Sequence, residues 1–94
     1  PIFMWLMRDR VGEVFEGTVV STTSFGLFVE METGATGLVH ASKLPGWWEL
    51  EPSGVVLSND EIGASYRVGD RVLVELLDIT PLLQRAELRV VKRL

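Results

Sequence analysis

Apolar and polar residues alternate with a period of two in five short stretches of the chain, a pattern typical of β-strands that bury one face. The predicted strands cover residues 14–21, 27–31, 37–40, 71–79 and 86–91. Glycine-bearing turns separate these strands, and helix is predicted only as short turns near residues 2–8 and 41–44. Gly17 within the first strand predicts a bend or bulge there. The fourth strand needs a bulge or a change of phase at Leu77 and Ile79, and Pro81 is predicted to end it.

The segment between the third and fourth predicted strands, residues 47–65, has no regular pattern and is interrupted by Pro52, Gly54 and Gly63. Five short strands with one long connection at this place match the oligonucleotide-binding (OB) barrel, which binds single strands across its second and third strands. We therefore predict an all-β fold: a five-stranded antiparallel OB barrel with a long irregular connection between strands three and four. A short helical remnant precedes it.

The second predicted strand carries one large aromatic residue on its polar face. Its core-facing residues are Leu27, Val29 and Met31. Phe28 falls on the opposite face with Glu30 and Glu32, and Phe25 lies in the turn just before. Two phenyl rings on a solvated sheet predict a platform on which nucleobases stack. A register slip of one residue would instead turn Phe28 inward, which is the structural alternative.

Four other residues are candidates for contacting a nucleic acid. His40 lies on the strand predicted to neighbour Phe28, where it would stack or bind phosphate, unless it is simply exposed. Arg85 and Arg89 flank the fifth strand and could contact phosphate or stack on a base, the alternative being a solvated edge. Lys43 is a further possible polar contact.

Two adjacent tryptophans, Trp47 and Trp48, begin the irregular connection. Neighbouring residues of such a segment point in different directions, so one ring is expected to pack on the barrel and the other to serve a partner or a base. The alternative is that both rings form a lid over the core.

Composition limits the class of protein. The 94 residues suffice for one domain, and 47% hydrophobic with 23% charged residues allows a real core. No apolar run approaches the roughly 20 residues of a membrane-spanning helix. The absence of cysteine excludes disulfides and fits a cytoplasmic location. A net charge of −4 argues against non-specific binding to duplexes, although six of the nine basic residues lie in residues 67–94.

The sequence contains no complete catalytic constellation. His40 is the sole histidine, no serine lies in a nucleophile-elbow context, and no glycine-rich phosphate loop precedes a helix. Acidic residues are scattered rather than grouped with histidine at metal-ligand spacing. The chain is therefore predicted to be non-catalytic, with no metal and no cofactor of its own.

Four blocks of the sequence resemble the S1 RNA-binding domain, a five-stranded OB barrel. They are FEGTVV at 15–20, SFGLFV at 24–29, GLVHAS at 37–42 and YRVGDRV at 66–72. The blocks occur in the family's order and extend over about residues 12–91. In this resemblance Phe25, Phe28 and His40 match base-stacking and RNA-contacting positions.

The tryptophan pair and the lead-in at residues 6–15 are most similar to the C-terminal S1 domain of bacterial exoribonucleases of the ribonuclease R and ribonuclease II type. The resemblance implies that residues 1–11 end a preceding domain or linker and that residues 12–94 form the S1 domain. It implies a monomeric cytoplasmic module without membrane contact, whose partners are single-stranded RNA and the rest of the exoribonuclease. The module would guide RNA to a hydrolytic, magnesium-dependent catalytic domain outside this chain.

The chain departs from the family pattern near the end of strand four. Thr80 stands where an acidic residue is usual, and the basic run that usually follows is the more apolar PLLQR at 81–85. This edge could instead dock on a neighbouring domain. One alternative is accordingly a barrel that binds protein through an apolar surface: Trp47, Trp48, Leu82 and Leu83. Another is a free-standing RNA-binding regulator of translation or stress.

Overall fold

The computed structural model describes residues 7–80 and 85–94 and has a closed five-stranded β-barrel at its centre. The barrel strands are β1 (Val14–Thr23), β2 (Gly26–Met31), β3 (Thr36–His40), β7 (Arg71–Thr80) and β8 (Arg85–Arg93). Three further strands lie between β3 and β7 in the chain: β4 (Glu49–Leu50), β5 (Val56–Asn59) and β6 (Ala64–Arg67). Two short 3-10 helices cover Met7–Arg10 and Ala41–Lys43. The predicted all-β barrel with almost no helix is confirmed.

The barrel strands pair in the order β1-β2-β3-β8-β7, and β7 pairs with β1 to close the ring. Four of these pairs are antiparallel, whereas β3 and β8 run parallel, with Gly37 opposite Ala86 and Leu38 opposite Glu87. Closure removes the exposed edges that would otherwise pair with other chains. It also places β8 beside β3, which the order of strands along the chain does not reveal.

The barrel interior is filled by the alternating apolar residues of its strands. Fully buried members of this core include Val19, Leu27, Val29, Val39, Val72, Val74, Leu76 and Leu88. The predicted inward face of β2, formed by Leu27, Val29 and Met31, is therefore confirmed. Phe28 is half-buried and points away from this core, since it pairs in register with Ser21 and Leu38 on the outer face.

The bulges fall partly where the sequence predicts them. The register of β7 against β8 shifts between Leu76 and Asp78, as the predicted change of phase requires. The predicted bulge at Gly17 is wrong, because the shift in β1 lies between Val19 and Ser21. Gly17 instead permits a close approach: a Cβ there would lie 2.6 Å from Val29 Cγ1 and 2.9 Å from the Glu30 carbonyl oxygen.

The predicted long connection after β3 is confirmed, but it is not irregular, because β4, β5 and β6 within it form a three-stranded antiparallel sheet. Its strands are only two to four residues long, too short for a period of two to be visible in the sequence. Thr22 Oγ1 on β1 donates a hydrogen bond to the Gly54 carbonyl at 2.9 Å, which ties the loop between β4 and β5 to the barrel.

The helical turn predicted at residues 2–8 lies mostly outside the described residues, and only its last part enters the 3-10 helix Met7–Arg10. Strand β7 ends at Thr80, and Pro81, predicted to end it, also lies outside the described part. Across residues 7–80 and 85–94, no helix has the length and apolar character needed to span a membrane.

Candidate nucleic-acid interface

Phe25 and Phe28 form a pair of aromatic rings on the outer face of the barrel. Their ring centroids lie 6.3 Å apart, and the two planes meet at 88°, an edge-to-face arrangement. Phe25 is 53% exposed, and Phe28 is half-buried beside it. Edge-to-face contact is a favourable geometry for aromatic rings, so each ring holds the other in place while leaving ring surface open to solvent.

The turn between β1 and β2 fixes Phe25 beside the end of β3. Only Ser24 and Phe25 connect the two strands, and Thr23 Oγ1 lies 3.3 Å from the Phe25 amide, which donates to it. The Phe25 carbonyl in turn accepts a hydrogen bond of 2.8 Å from the Ala41 amide, which follows β3. Next in the chain, Gly26 approaches β3 so closely that a side chain there would collide with the Val39 carbonyl.

His40 ends β3 and faces the same surface. It pairs in register with Gly26 on β2, and its Nε2 lies 3.1 Å from the Glu87 Oε2 on β8. Leu38, two residues earlier, is fully buried between Phe28 and Glu87 in the register of the three strands. The outer face of β2, β3 and β8 therefore has an apolar centre formed by Phe28 and Leu38 and a polar side formed by His40 and Glu87.

The cations predicted for this face differ in their availability. Arg89 is engaged by Glu75 on β7, since its Nε donates to Glu75 Oε1 at 3.0 Å and a terminal nitrogen reaches the same oxygen. Lys43 lies in the 3-10 helix that follows His40, and Arg85 lies on β8 opposite Thr80. Neither Lys43 nor Arg85 forms an ion pair with another residue of the described part. Lys43 and Arg85 are therefore the cations of this set that a phosphate can recruit without breaking an ion pair.

The structure thus brings together Phe25, Phe28 and His40, with Lys43 just beyond them. Arg89 is instead ion-paired with Glu75 and is not available to this group. Sequence reasoning missed two members of the face, Leu38 and Glu87. Leu38 lies between Gly37 and Val39 in a run without alternation, so the face on which it lies could not be read. Glu87 joins the face only through the parallel pairing of β3 with β8.

One ring of the tryptophan pair packs inward and the other is exposed, as one of the two predictions requires; that the exposed ring serves a partner or a base stays a prediction. Trp48 is buried, its ring centroid 5.5 Å from that of Tyr66, and its Nε1 donates to the Pro45 carbonyl at 2.8 Å. Trp47 is 72% exposed, and its Nε1 donates to Glu49 Oε1 at 3.0 Å. The alternative in which both rings form a lid is therefore wrong. Because Trp48 is largely buried, it offers little area to the predicted apolar docking surface, and Leu82 and Leu83 of that surface lie outside the described residues.

In the two described stretches, no three histidine, cysteine, aspartate or glutamate side chains are grouped so that they could hold a metal ion.

Comparison with known proteins gives consistent relatives. A family model described as S1 RNA binding domain matches residues 8–89. Ribonuclease R of Vibrio cholerae is 44% identical over 75 residues, which are 78% of this chain and 9% of that protein. Polyribonucleotide nucleotidyltransferase of Corynebacterium diphtheriae is 47% identical over 70 residues, 74% of this chain and 8% of that protein. The chain therefore spans less than a tenth of the length of these curated relatives.

Among solved structures, ribonuclease R of Mycoplasma genitalium in complex with ribose-methylated single-stranded RNA superposes with a TM-score of 0.86. The match covers 94% of this chain and 14% of that one, at 28% identity. The apo form of the same enzyme gives a TM-score of 0.84 over 92% of this chain. The similarity to ribonuclease R in sequence thus extends to the three-dimensional fold.

Proposed function

The chain belongs to the S1 RNA-binding domain family, and from that premise we propose that it grips single-stranded RNA by stacking bases on Phe25 and Phe28. The observation that carries the proposal is the pair of outward aromatic rings on β2 and its turn, which no other described side chain covers completely. The relatives support RNA as the ligand, since both a ribonuclease and a polyribonucleotide nucleotidyltransferase are among them.

Stacking on these rings selects single strands for a geometric reason. Bases inside a duplex have both faces covered by their neighbours, whereas an unpaired base can turn out and place one face on a phenyl ring. Every base has such a face, so the contact tolerates any sequence. His40, at the end of β3, adds a ring nitrogen that can bind a phosphate, a ribose hydroxyl or a base edge.

The charges near the rings support a modest affinity for single-stranded RNA. Lys43 and Arg85 offer two positive charges to the backbone, while Glu87 and Glu30 place carboxylates on the same outer face. Affinity for a nucleic acid rises with the number of phosphates neutralised, so two recruitable cations contribute little. The aromatic rings therefore carry the larger share of the binding free energy.

The module's place in a longer enzyme forms the second part of the proposal. Similarity to ribonuclease R in sequence and fold supports a chain that is itself non-catalytic and that feeds RNA to a hydrolytic 3′-to-5′ exoribonuclease. A cofactor would then be needed only in that catalytic part, where magnesium is expected.

Fluorescence anisotropy of a labelled 12-nucleotide oligouridine tests the binding proposal. The 94-residue chain is expected to bind this single strand and to bind a 12-base-pair RNA duplex at least about tenfold more weakly. Phe25→Ala combined with Phe28→Ala should weaken binding to the single strand by about 1–3 kcal/mol for each base that stacks. Val68→Ala is the matched control, because Val68 is also exposed but lies in the turn before β7. Equal affinity of the double variant and the control would contradict the proposal.

A domain exchange tests the guiding role. This chain replaces the matching segment of Vibrio cholerae ribonuclease R, and degradation of a long single strand is followed. The exchanged enzyme should degrade the strand. The exchange that carries Phe25→Ala and Phe28→Ala should release the strand after fewer nucleotides, while it cleaves a strand too short to reach the barrel as well as the first exchanged enzyme does. If both exchanged enzymes degrade the long strand equally, the chain does not guide RNA.

A further inference from the structure

A cleft lies beside the aromatic face and is not used by the contacts described above. It measures about 300 Å³ and is lined by Ser24, Ala41, Ser42, Gly46, Trp47 and Trp48. Ser24 directly precedes Phe25, and Ala41 directly follows His40. The cleft therefore begins where the aromatic face ends, between the β1–β2 turn and the segment that leads into β4.

Hydrogen bonds fix the chain segment on either side of the exposed Trp47 ring. The Pro45 carbonyl accepts two hydrogen bonds, from Trp48 Nε1 at 2.8 Å and from Asn59 Nδ2 at 3.1 Å. Asn59 is 1% exposed, and its Oδ1 accepts the Glu61 amide at 3.0 Å. With Trp48 fixed inward by these bonds, the neighbouring Trp47 is directed outward.

The backbone at Gly46 maintains this presentation. Its φ of +87° is one that other residues rarely adopt, and a Cβ there would lie 2.5 Å from Asn59 Nδ2. The indole itself is oriented by the bond from Trp47 Nε1 to Glu49. A large aromatic ring that is 72% exposed and yet fixed in direction has the properties of a stacking surface.

We propose that this cleft is an additional nucleotide subsite, in which one base stacks on Trp47 after the strand has passed Phe25 and His40. This inference rests on the proposed RNA-binding role of the aromatic face, and it extends the path of the RNA strand by one nucleotide. Hydroxyl groups of Ser24 and Ser42 line the same cleft and can donate to or accept from a base edge or a ribose hydroxyl. Lys43, adjacent to Ser42 in the chain, can bind the phosphate between the two positions.

A second cavity at Trp47 bears on which part of the nucleotide enters the cleft. This cavity measures about 180 Å³, and its lining includes Glu49, Asp60 and Glu61. No basic residue occurs between residues 47 and 66, so the carboxylates of this cavity repel phosphate. The strand is therefore expected to approach Trp47 from the Ser24 side and to present a base to it.

A basic peptide is the competing occupant, since an indole with three nearby carboxylates can also hold a cation. RNA is favoured because the 300 Å³ cleft adjoins Phe25 and His40, which already present a path for a strand. The acidic cavity shares only Trp47 with that cleft, and none of its other lining residues is next to Phe25 or His40 in the chain.

A length series of oligouridines, from three to ten nucleotides, tests the subsite with the 94-residue chain. Affinity is measured by competition for wild type, Trp47→Ala, Trp47→Phe and the control Val68→Ala. Wild type and control should show a step of about fivefold or more when the strand becomes long enough to reach Trp47. Trp47→Ala should lose that step but match wild type for shorter strands, and Trp47→Phe should retain part of it. Thermal unfolding of each variant confirms that the fold is intact.

The outcomes separate this inference from the function on which it rests. A step that persists unchanged in a folded Trp47→Ala variant overturns the subsite while leaving the aromatic face intact. Failure of short strands to respond to Phe25→Ala and Phe28→Ala overturns the aromatic face itself. Fluorescence supplies an independent check, since the difference between wild type and Trp47→Phe reports the Trp47 signal. If an arginine-rich peptide quenches that signal and a ten-nucleotide oligouridine does not, the site binds protein.

Discussion

The rings of Phe25 and Phe28 stand at 88° to each other, with their centroids 6.3 Å apart. Two bases that stack on these rings must therefore lie nearly at right angles, and they cannot remain stacked on each other. The RNA backbone has to turn between them, which a flexible single strand can do and a helix cannot. The perpendicular rings would therefore restrict the proposed stacking to unpaired RNA.

The contact between the two rings also couples their contributions to binding. Each single substitution, Phe25→Ala or Phe28→Ala, removes one base-stacking surface and the edge-to-face contact that orients the remaining ring. Such aromatic contacts are worth about 0.5–1.5 kcal/mol. The losses of the two single variants are therefore expected to sum to more than the loss of the double variant, by about that amount. A double-mutant cycle on oligouridine affinity measures this coupling, and strict additivity would show that the rings act independently.

Lys43 and Arg89 should differ in how they affect the salt dependence of binding. Lys43 has no ion pair within the described residues, whereas Arg89 is held by Glu75. Each phosphate contact to a single strand contributes a slope of about −0.7 in a plot of log affinity against log salt. Lys43→Ala should make the slope shallower by about 0.7, and Arg89→Ala should change it much less. Equal changes would mean that Arg89 leaves Glu75 when RNA binds.

Glu87 places a negative charge on the candidate RNA-binding face beside His40. Replacing it with Gln removes that charge and keeps an oxygen that can accept from the His40 ring. Relief of one repulsion at roughly 6 Å in water amounts to about 0.7 kcal/mol, so affinity for oligouridine should rise by about threefold at low salt and less at high salt. Glu51→Gln, on an exposed loop, is the control and should leave affinity unchanged. Weaker binding by Glu87→Gln would show that the carboxylate chiefly positions His40.

Tyr66 makes the stability of the fold sensitive to alkaline pH. Burial raises the pKa of its phenol above the usual value of about 10; the Asp70 carboxylate adds to this rise, and the Arg93 guanidinium opposes it. The folded chain therefore holds this proton more tightly than the unfolded chain, and the resulting stabilisation is complete below about pH 10. It should be lost as the pH rises through and above that value.

Urea unfolding between pH 8 and pH 11 measures this loss. The free energy of unfolding of wild type should fall more steeply than that of Tyr66→Phe, because the variant lacks the ionising group. Other groups titrate in both proteins, so the difference between the two curves carries the prediction. Parallel curves would mean that Tyr66 makes no contribution.

Much of the fold followed from local patterns in the sequence. The alternation in β2 placed Phe28 outward, and the interrupted alternation in β7 located its bulge between Leu76 and Asp78. These features depend on neighbours along one strand, which a period of two records directly. The burial of one tryptophan and the exposure of the other also agree with one of two predicted options, because adjacent side chains of such a segment diverge.

Other features depend on contacts that a single sequence does not record. The sheet of β4, β5 and β6 is built from strands too short to show a period, and its pairing is set by tertiary contacts. Gly17 was expected to mark a bulge but serves a close approach of Val29 and Glu30. Glu87 reaches the candidate site only because β8 runs parallel to β3. The ion pair between Arg89 and Glu75 likewise depends on the register between β7 and β8, which cannot be read from the sequence.

The most direct test of the central claim is to map where oligouridine contacts the chain. In a two-dimensional ¹H–¹⁵N correlation spectrum of the labelled 94-residue chain, amide shifts are followed during titration with a six-nucleotide strand. The largest changes are expected at Phe25, Phe28, Leu38 and His40, with little change across β5 and β6 or at Val68. Changes concentrated on β5, β6 or the outer face of β1 and β7, with the Phe25 and Phe28 amides unmoved, would contradict the account.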